Sequence, residues 1–211
     1  MKLRIFIITI LVAFTSSAFA QNARSILDKA YDAYNKAGGV MVTFRLDSKD
    51  SKAQNTYSYD GNAYMKGDKF KIEIPDGITW FDGTTQWIYV KETEEVNVSN
   101  PTGEELQAIS PSAIFSIYKK GFNLAYKGEK KVGGKTVQEV ELTPQKKSEF
   151  TRILVQIDKS NNTFSKITLV DKVGVENTLS IKSYKPDQNI ADTMFTFNKK
   201  EYPDAEIVDL R

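Results

Sequence analysis

Lys69-Phe70-Lys71-Ile72-Glu73-Ile74 alternates charged and apolar side chains without a break. A period of two puts Phe70, Ile72 and Ile74 on one face of an extended strand and their charged neighbours on the other. The pair Asp76-Gly77 follows at once, and Asp82-Gly83 comes soon after. Tight hairpins need residues that accept positive φ, so both pairs read as turns. Beyond them Trp87 and Tyr89 share one strand face, as do Val96 and Val98, with the charged run Glu92 to Glu95 bending the chain between. An antiparallel meander is the direct reading.

The pattern extends in both directions. Upstream, Val40, Val42, Phe44 and Leu46 alternate with Met41, Thr43 and Arg45, and Asp60-Gly61 reads as another hairpin turn. Before that strand, Leu27, Ala30, Tyr31 and Tyr34 recur at three- and four-residue steps, which predicts an amphipathic helix over 23–37 ended by Gly38-Gly39. Downstream, Asn100-Pro101-Thr102-Gly103 interrupts the strands. Glu104 to Lys120, with Leu106, Ile109, Ile114, Phe115 and Tyr118 as its apolar positions, reads as two short helices or one helix kinked at Pro111, ended by Gly121. Strands are expected again at 122–128, 136–142, 150–158, 163–171, 175–184 and 194–198. Gly133-Gly134 and Asn161-Asn162 supply turns, and Pro186-Asp187 opens a longer connection.

The sum is a mainly-β chain of about eleven strands, a barrel or a sandwich, with two helical pieces. A barrel of that size is wider than one its own side chains can fill. The inward candidates are Val42, Phe44, Leu46, Phe70, Ile72, Ile74, Trp80, Trp87, Tyr89, Leu154, Ile167, Leu169, Leu179 and Ile181. For any single one of them ordinary core is the favoured role. Ile114, Phe115 and Tyr118 need an apolar surface to rest on, either as a movable lid over the barrel's mouth or as a fixed plug.

The N-terminus reads as an address. Lys2 and Arg4 precede the apolar run Ile5 to Phe14, and Ala18-Phe19-Ala20 ends a small, polar stretch. This is the pattern of a secretory signal cleaved after Ala20, and the run is too short to span a bilayer. The expected domain is therefore a single one over 21–211. Cleavage removes two of the 29 basic residues and none of the 27 acidic ones, leaving 27 of each. Zero net charge argues against a nucleic-acid partner. With no Cys, a bacterial envelope is favoured over a disulfide-rich secreted setting, and no thiol exists for lipid attachment after cleavage.

No His is present, which removes Ser-His-Asp and Cys-His arrangements and the usual zinc sites. Gly128 to Thr136 looks like a phosphate loop, but it has one residue too many and sits between strands, so a Gly-Gly hairpin is the better reading. Asp47, Asp50 and the Asp158–Asn162 stretch lack the spacing of a calcium loop. Glu92, Glu94 and Glu95 have no apolar surroundings to raise a pKa. No metal, cofactor or catalytic constellation is expected, and the chain is read as a binding protein, not an enzyme.

Asp82-Gly83-Thr84-Thr85-Gln86-Trp87-Ile88-Tyr89 resembles the Asp-Gly-x-Thr-x-Trp-x-Tyr hairpin of the periplasmic outer-membrane lipoprotein carriers, the LolA family. Gly61 to Lys66, Phe70 and Pro75 resemble the strand pair before that hairpin, and Phe195-Thr196-Phe197, Pro203 and Val208-Asp209 resemble the family's ending. The resemblance implies an unclosed antiparallel β-barrel covered by helices. It also implies a monomeric periplasmic carrier that takes the acyl chains of a lipoprotein from an inner-membrane ABC-type release complex to an outer-membrane acceptor. The other reading on the same fold is a receptor or envelope-stress sensor for lipid or protein. One departure stands out. The family often has Arg-Pro shortly before the position of Phe70, and that Arg helps hold the lid closed, whereas here the segment is Lys66-Gly67-Asp68-Lys69.

Overall fold

The computed structural model describes residues 22–50, 52, 55–103, 105–106 and 110–211. The expected signal sequence and Ile109 lie outside the described residues, as does the side chain of Ile114. Helix α1 covers residues 22–36. Ala23, Ile26, Leu27, Ala30 and Tyr34 form its buried stripe, as the three- and four-residue spacing requires.

Six strands follow: β1 (Val40–Asp50), β2 (Asn55–Lys66), β3 (Lys69–Ile74), β4 (Gly77–Phe81), β5 (Gln86–Val90) and β6 (Glu95–Ser99). The chain then leaves the sheet for helix α2 (Pro111–Ser116) and a 3₁₀ turn over Ile117–Lys119. Pro111 at the start of α2 gives up only an N–H that has no partner within the helix anyway. Five more strands return: β7 (Phe122–Val132), β8 (Lys135–Pro144), β9 (Phe150–Asp158), β10 (Thr163–Asp171) and β11 (Val175–Lys185). A second 3₁₀ turn, Asp192–Phe195, leads to β12 (Glu206–Asp209).

All twelve strands belong to one sheet, in the order β12-β6-β5-β4-β3-β2-β1-β11-β10-β9-β8-β7. Each pairing is antiparallel except β12 with β6, which is parallel. The β1–β6 meander and the β7–β11 meander join where β1 pairs with β11, and the two sheet ends, β12 and β7, are not paired to each other. The fold is an unclosed, mainly antiparallel barrel with helical cover.

The strand expected over 194–198 does not form; the chain makes the 3₁₀ turn Asp192–Phe195 there, and the final strand is β12. The twelve strands of the sheet agree with the expected number of about eleven. Asp60-Gly61 is not a turn but the middle of β2; Gly67, at φ +58°, turns β2 into β3. Gly61 serves close packing: a Cβ there would lie 2.5 Å from the Phe44 ring and 2.8 Å from the Glu73 carbonyl oxygen. The β3–β4 turn falls on Pro75-Asp76, with Gly77 opening β4 without positive φ; the remaining turns are as read. Gly83, Gly133, Gly134 and Asn162 all have positive φ, and Asp82 Oδ1 accepts from the N–H groups of Thr84 at 2.9 Å and Thr85 at 2.8 Å.

Both faces of β4–β6 are covered. Toward the interior, Phe81 stacks on Phe70 at 5.3 Å. Toward the exterior, the chain after β11 lies across the sheet as a strap. Trp80 meets Phe197 and Tyr202 edge-on, each at 5.6 Å, and Tyr89 meets Tyr202 at 4.8 Å. Val96, Val98 and Ala205 complete this second core. Lys66 and Lys69 anchor the strap through Asp192, at 2.8 and 2.7 Å, and their hydrogen bonds hold that carboxyl down at about 2.

Two outcomes follow for the strap. Trp80, 3% exposed, should cost about 3–5 kcal/mol when replaced by Ala, measured by urea unfolding; a loss under about 1 kcal/mol would contradict the packing described. The Asp192 pKa is depressed, so its contribution is present above the unfolded value of roughly 3.9 and disappears as pH falls through about 2. Side-chain NMR titration of Asp192 should give a midpoint well below that of an unperturbed Asp, and a midpoint near 4 would rule out the double lysine contact.

Candidate functional site

Strand register decides which side chains enter the barrel. Val40 pairs with Met65, Met65 with Phe70 and Phe70 with Phe81. Directly paired residues share a face, so this row and its alternate neighbours Val42, Ala63 and Ile72 point inward. Lys71, Trp80, Trp87 and Val98 form the adjacent row and point outward. Across the seam, Leu46 pairs with Leu179 and Phe44 with Ile181, extending the inner face onto β11.

The inner face encloses an apolar cavity of about 980 Å³. Its wall draws on β1, β2, β3, β7, β9, β10 and β11, and α2 with its following turn covers it. Strands as far apart in sheet order as β3 and β7 line one space, which shows how strongly the sheet curls. The lining is apolar except for Ser110, Ser116, Lys119 and Lys120. Such a volume is at the upper end for small-molecule sites.

Seven of the fourteen inward candidates line this cavity: Val42, Phe44, Leu46, Ile72, Leu169, Leu179 and Ile181. Phe70 and Ile167 face inward but are buried in solid core, and Ile74 packs at the core's margin. Four do not face inward. Trp80, Trp87 and Tyr89 lie on the outer face beneath the strap. Leu154 pairs with Thr168 and Glu141 on the outer face, while its neighbours Ile153 and Val155 are the buried ones. Ala63, Met65, Ile117, Phe122 and Phe150 belong to the wall and were not anticipated. Phe122 and Phe150 each open a strand, where too few residues precede them for alternation to show.

The cover is tied to α1. Phe115, 4% exposed, is stacked on Phe164 at 4.5 Å and lies against Tyr34 at 4.8 Å. Tyr118, 1% exposed, donates to Asp28 Oδ1 at 2.6 Å. Lys119 Nζ sits 3.4 Å from the centre of the Tyr31 ring, a cation–π contact. Burial, then the Asp28 contact, pushes the Tyr118 hydroxyl well above its ordinary value, and burial raises Tyr34 to about 12. Both therefore stay neutral and act as packing and donor groups. Phe115 lines the cavity, whereas Tyr118 fastens the cover from behind and is absent from the cavity wall.

Among the described residues no three Asp or Glu side chains converge as a metal site. Gly128 to Thr136 is the β7–β8 hairpin. Asp158 Oδ1 accepts from the N–H and hydroxyl of Ser160, a closed turn.

A family model described as outer membrane lipoprotein carrier protein LolA matches residues 13–173. The chain belongs to the LolA family. No curated protein sequence matches it. Among solved structures, an uncharacterized conserved protein from Thermus thermophilus is similar at TM-score 0.62 and 15% identity, over 89% of this chain and 99% of that one. A putative outer membrane lipoprotein-sorting protein domain from Vibrio parahaemolyticus is similar at TM-score 0.47 and 14% identity, over 87% and 99%. The lipoprotein LppX of Mycobacterium tuberculosis is similar at 0.47 and 14%, over 79% and 96%. The first of these likenesses, at 15% identity, is one of fold alone. No helix among the described residues is long and apolar enough to cross a membrane.

In this LolA-family member the cover is held to α1. Lys66, at the place where the resemblance leads one to look for the lid-holding Arg, points outward and donates to the Ile190 carbonyl at 2.9 Å and to Asp192. It fastens the strap, not the cover. Tyr118–Asp28 and Lys119–Tyr31 hold the cover instead. Tyr118→Phe should weaken that hold by about 1–2 kcal/mol, raising amide hydrogen exchange in residues 110–119 by about tenfold while β8–β10 stay protected. Unchanged exchange in 110–119 would remove Tyr118 from this role.

Proposed function

We propose that this chain is a periplasmic carrier that buries lipoprotein acyl chains in its barrel and moves them from the inner to the outer membrane. It acts as a single domain over 21–211, exported by the signal at 1–20, monomeric and without catalytic activity. Its donor is an inner-membrane ABC-type complex and its acceptor an outer-membrane receptor. The observation that carries this reading is the apolar cavity of about 980 Å³ under a separate helical cover. Membership of the LolA family supports it.

The energetics suit a carrier. Each acyl CH₂ taken from water gains about 0.8 kcal/mol, so one long chain gains on the order of ten kcal/mol. Free cargo would not cross an aqueous gap, and a fully closed site would release it too slowly. A cover fastened by a handful of side-chain contacts, among them Tyr118 with Asp28, Lys119 with Tyr31, and Phe115 with Tyr34 and Phe164, can open without unfolding the sheet. Opening lowers affinity at the membrane where cargo must leave. Leu46, Leu179, Ile181 and their neighbours contact the chains, and Phe115 forms part of the cover's inner surface.

Protein purified gently from its native envelope should carry lipid or lipoprotein identifiable by mass spectrometry. Finding only nucleotides, sugars or nothing, where a control carrier retains cargo, would overturn the proposal. Ile181→Trp places a large ring in the cavity and should cut binding of a fluorescent fatty-acyl probe at least about tenfold without lowering the unfolding midpoint. Undiminished binding in a folded variant would move the site elsewhere.

A further inference from the structure

The cavity wall holds no carboxylate among the described residues, and its charged members are Lys119 and Lys120 alone. Both are exposed, so they stand at the mouth while the apolar lining lies deeper. They sit where the chain passes from the 3₁₀ turn into β7; Lys120 is already extended, at φ −141° and ψ 145°. The β8–β9 loop is pinned beside them, because Gln145 N–H donates to the Gly121 carbonyl at 2.9 Å. That loop brings Lys146 and Lys147 to the same edge, and its one acid, Glu149, is engaged by Lys172 at 3.1 Å. Among the described residues none of these four lysines is in an ion pair. A cation at the lip of a low-dielectric hollow concentrates its field in the opening.

We infer that the cavity selects amphiphiles whose acyl tail adjoins an anionic group, a carboxylate or a phosphate, which Lys119 and Lys120 hold at the mouth while the tail lies against β1 and β11. The inference rests on the acyl-binding reading and adds to it a preference by headgroup. Lys120 supplies the principal contact, since Lys119 is committed to the Tyr31 ring. The contact is solvent-exposed, so the preference is moderate and weakens with salt.

Displacement of a fluorescent fatty-acyl probe from the purified, delipidated protein tests this with two matched pairs: oleate against methyl oleate, and phosphatidylglycerol against phosphatidylcholine. The anionic member of at least one pair should bind about fivefold better at low salt. Oleate alone showing the preference identifies a carboxylate head, and phosphatidylglycerol alone a phosphodiester not neutralised by a neighbouring cation. K120Q should reduce the ratio to about twofold and K119Q/K120Q to near one. K120Q leaves the Lys119–Tyr31 contact in place, so it reports on the charge even if the double variant loosens the cover. Equal binding within both pairs, or a ratio unmoved in K120Q, would overturn the inference while leaving acyl binding intact. Failure of all four lipids to displace the probe would overturn both.

Discussion

A sheet that curls far enough to bring β3 and β7 onto one space, yet never pairs β12 with β7, cannot fill its own interior. Everything else in the molecule answers that constraint. Backbone groups of the strands between the two sheet ends, β12 and β7, are satisfied by neighbouring strands, so their part of the hollow is bounded by side chains, and alternation makes those side chains apolar. The chain leaves the sheet between β6 and β7 and spends the interval on helical structure laid over the hollow. Helix α1 fills one part of the interior with Leu27, Ala30 and Tyr34, and Phe115 inserts between Tyr34 and Phe164. What remains is the cavity.

The two helical pieces and the strap divide the labour. Inside, α2 and its following turn are held to α1, itself packed into the core, by a few specific contacts. Outside, the strap is fixed by four aromatic side chains, by the parallel pairing of β12 with β6, and by two lysines on Asp192. This outer packing holds the β4–β6 hairpins from their outer face, away from the cavity wall.

Much of the architecture was legible in the sequence because its signals were local. The Phe70–Ile74 alternation, the Asp-Gly and Gly-Gly turns and the 3.6-residue stripe of α1 each rest on a few adjacent residues. The face that a strand presents was less legible. Trp87 and Tyr89 do share a face, but only the pairing of Trp80 with Lys71 and Trp87 reveals that it is the outer one. Ile153-Leu154-Val155 is apolar in both phases, so its register could not be read at all. Asp60-Gly61 has the chemistry of a turn, yet the glycine is there to let the Phe44 ring cross β2. The strap was invisible for a related reason: Phe197 and Tyr202 find their partners more than a hundred residues away, a separation that no local pattern encodes.

The account depends on hydrocarbon entering the hollow between β1, β3 and β11. Solution NMR with a ¹³C-labelled fatty acid and methyl-labelled protein observes that directly. Cross-relaxation should run from mid-chain methylenes to the methyls of Leu46, Ile72, Leu179 and Ile181, with none to Ile207 or Leu210 on the exposed strap. Contacts confined to the strap, or no intermolecular contacts at saturating ligand, would contradict it.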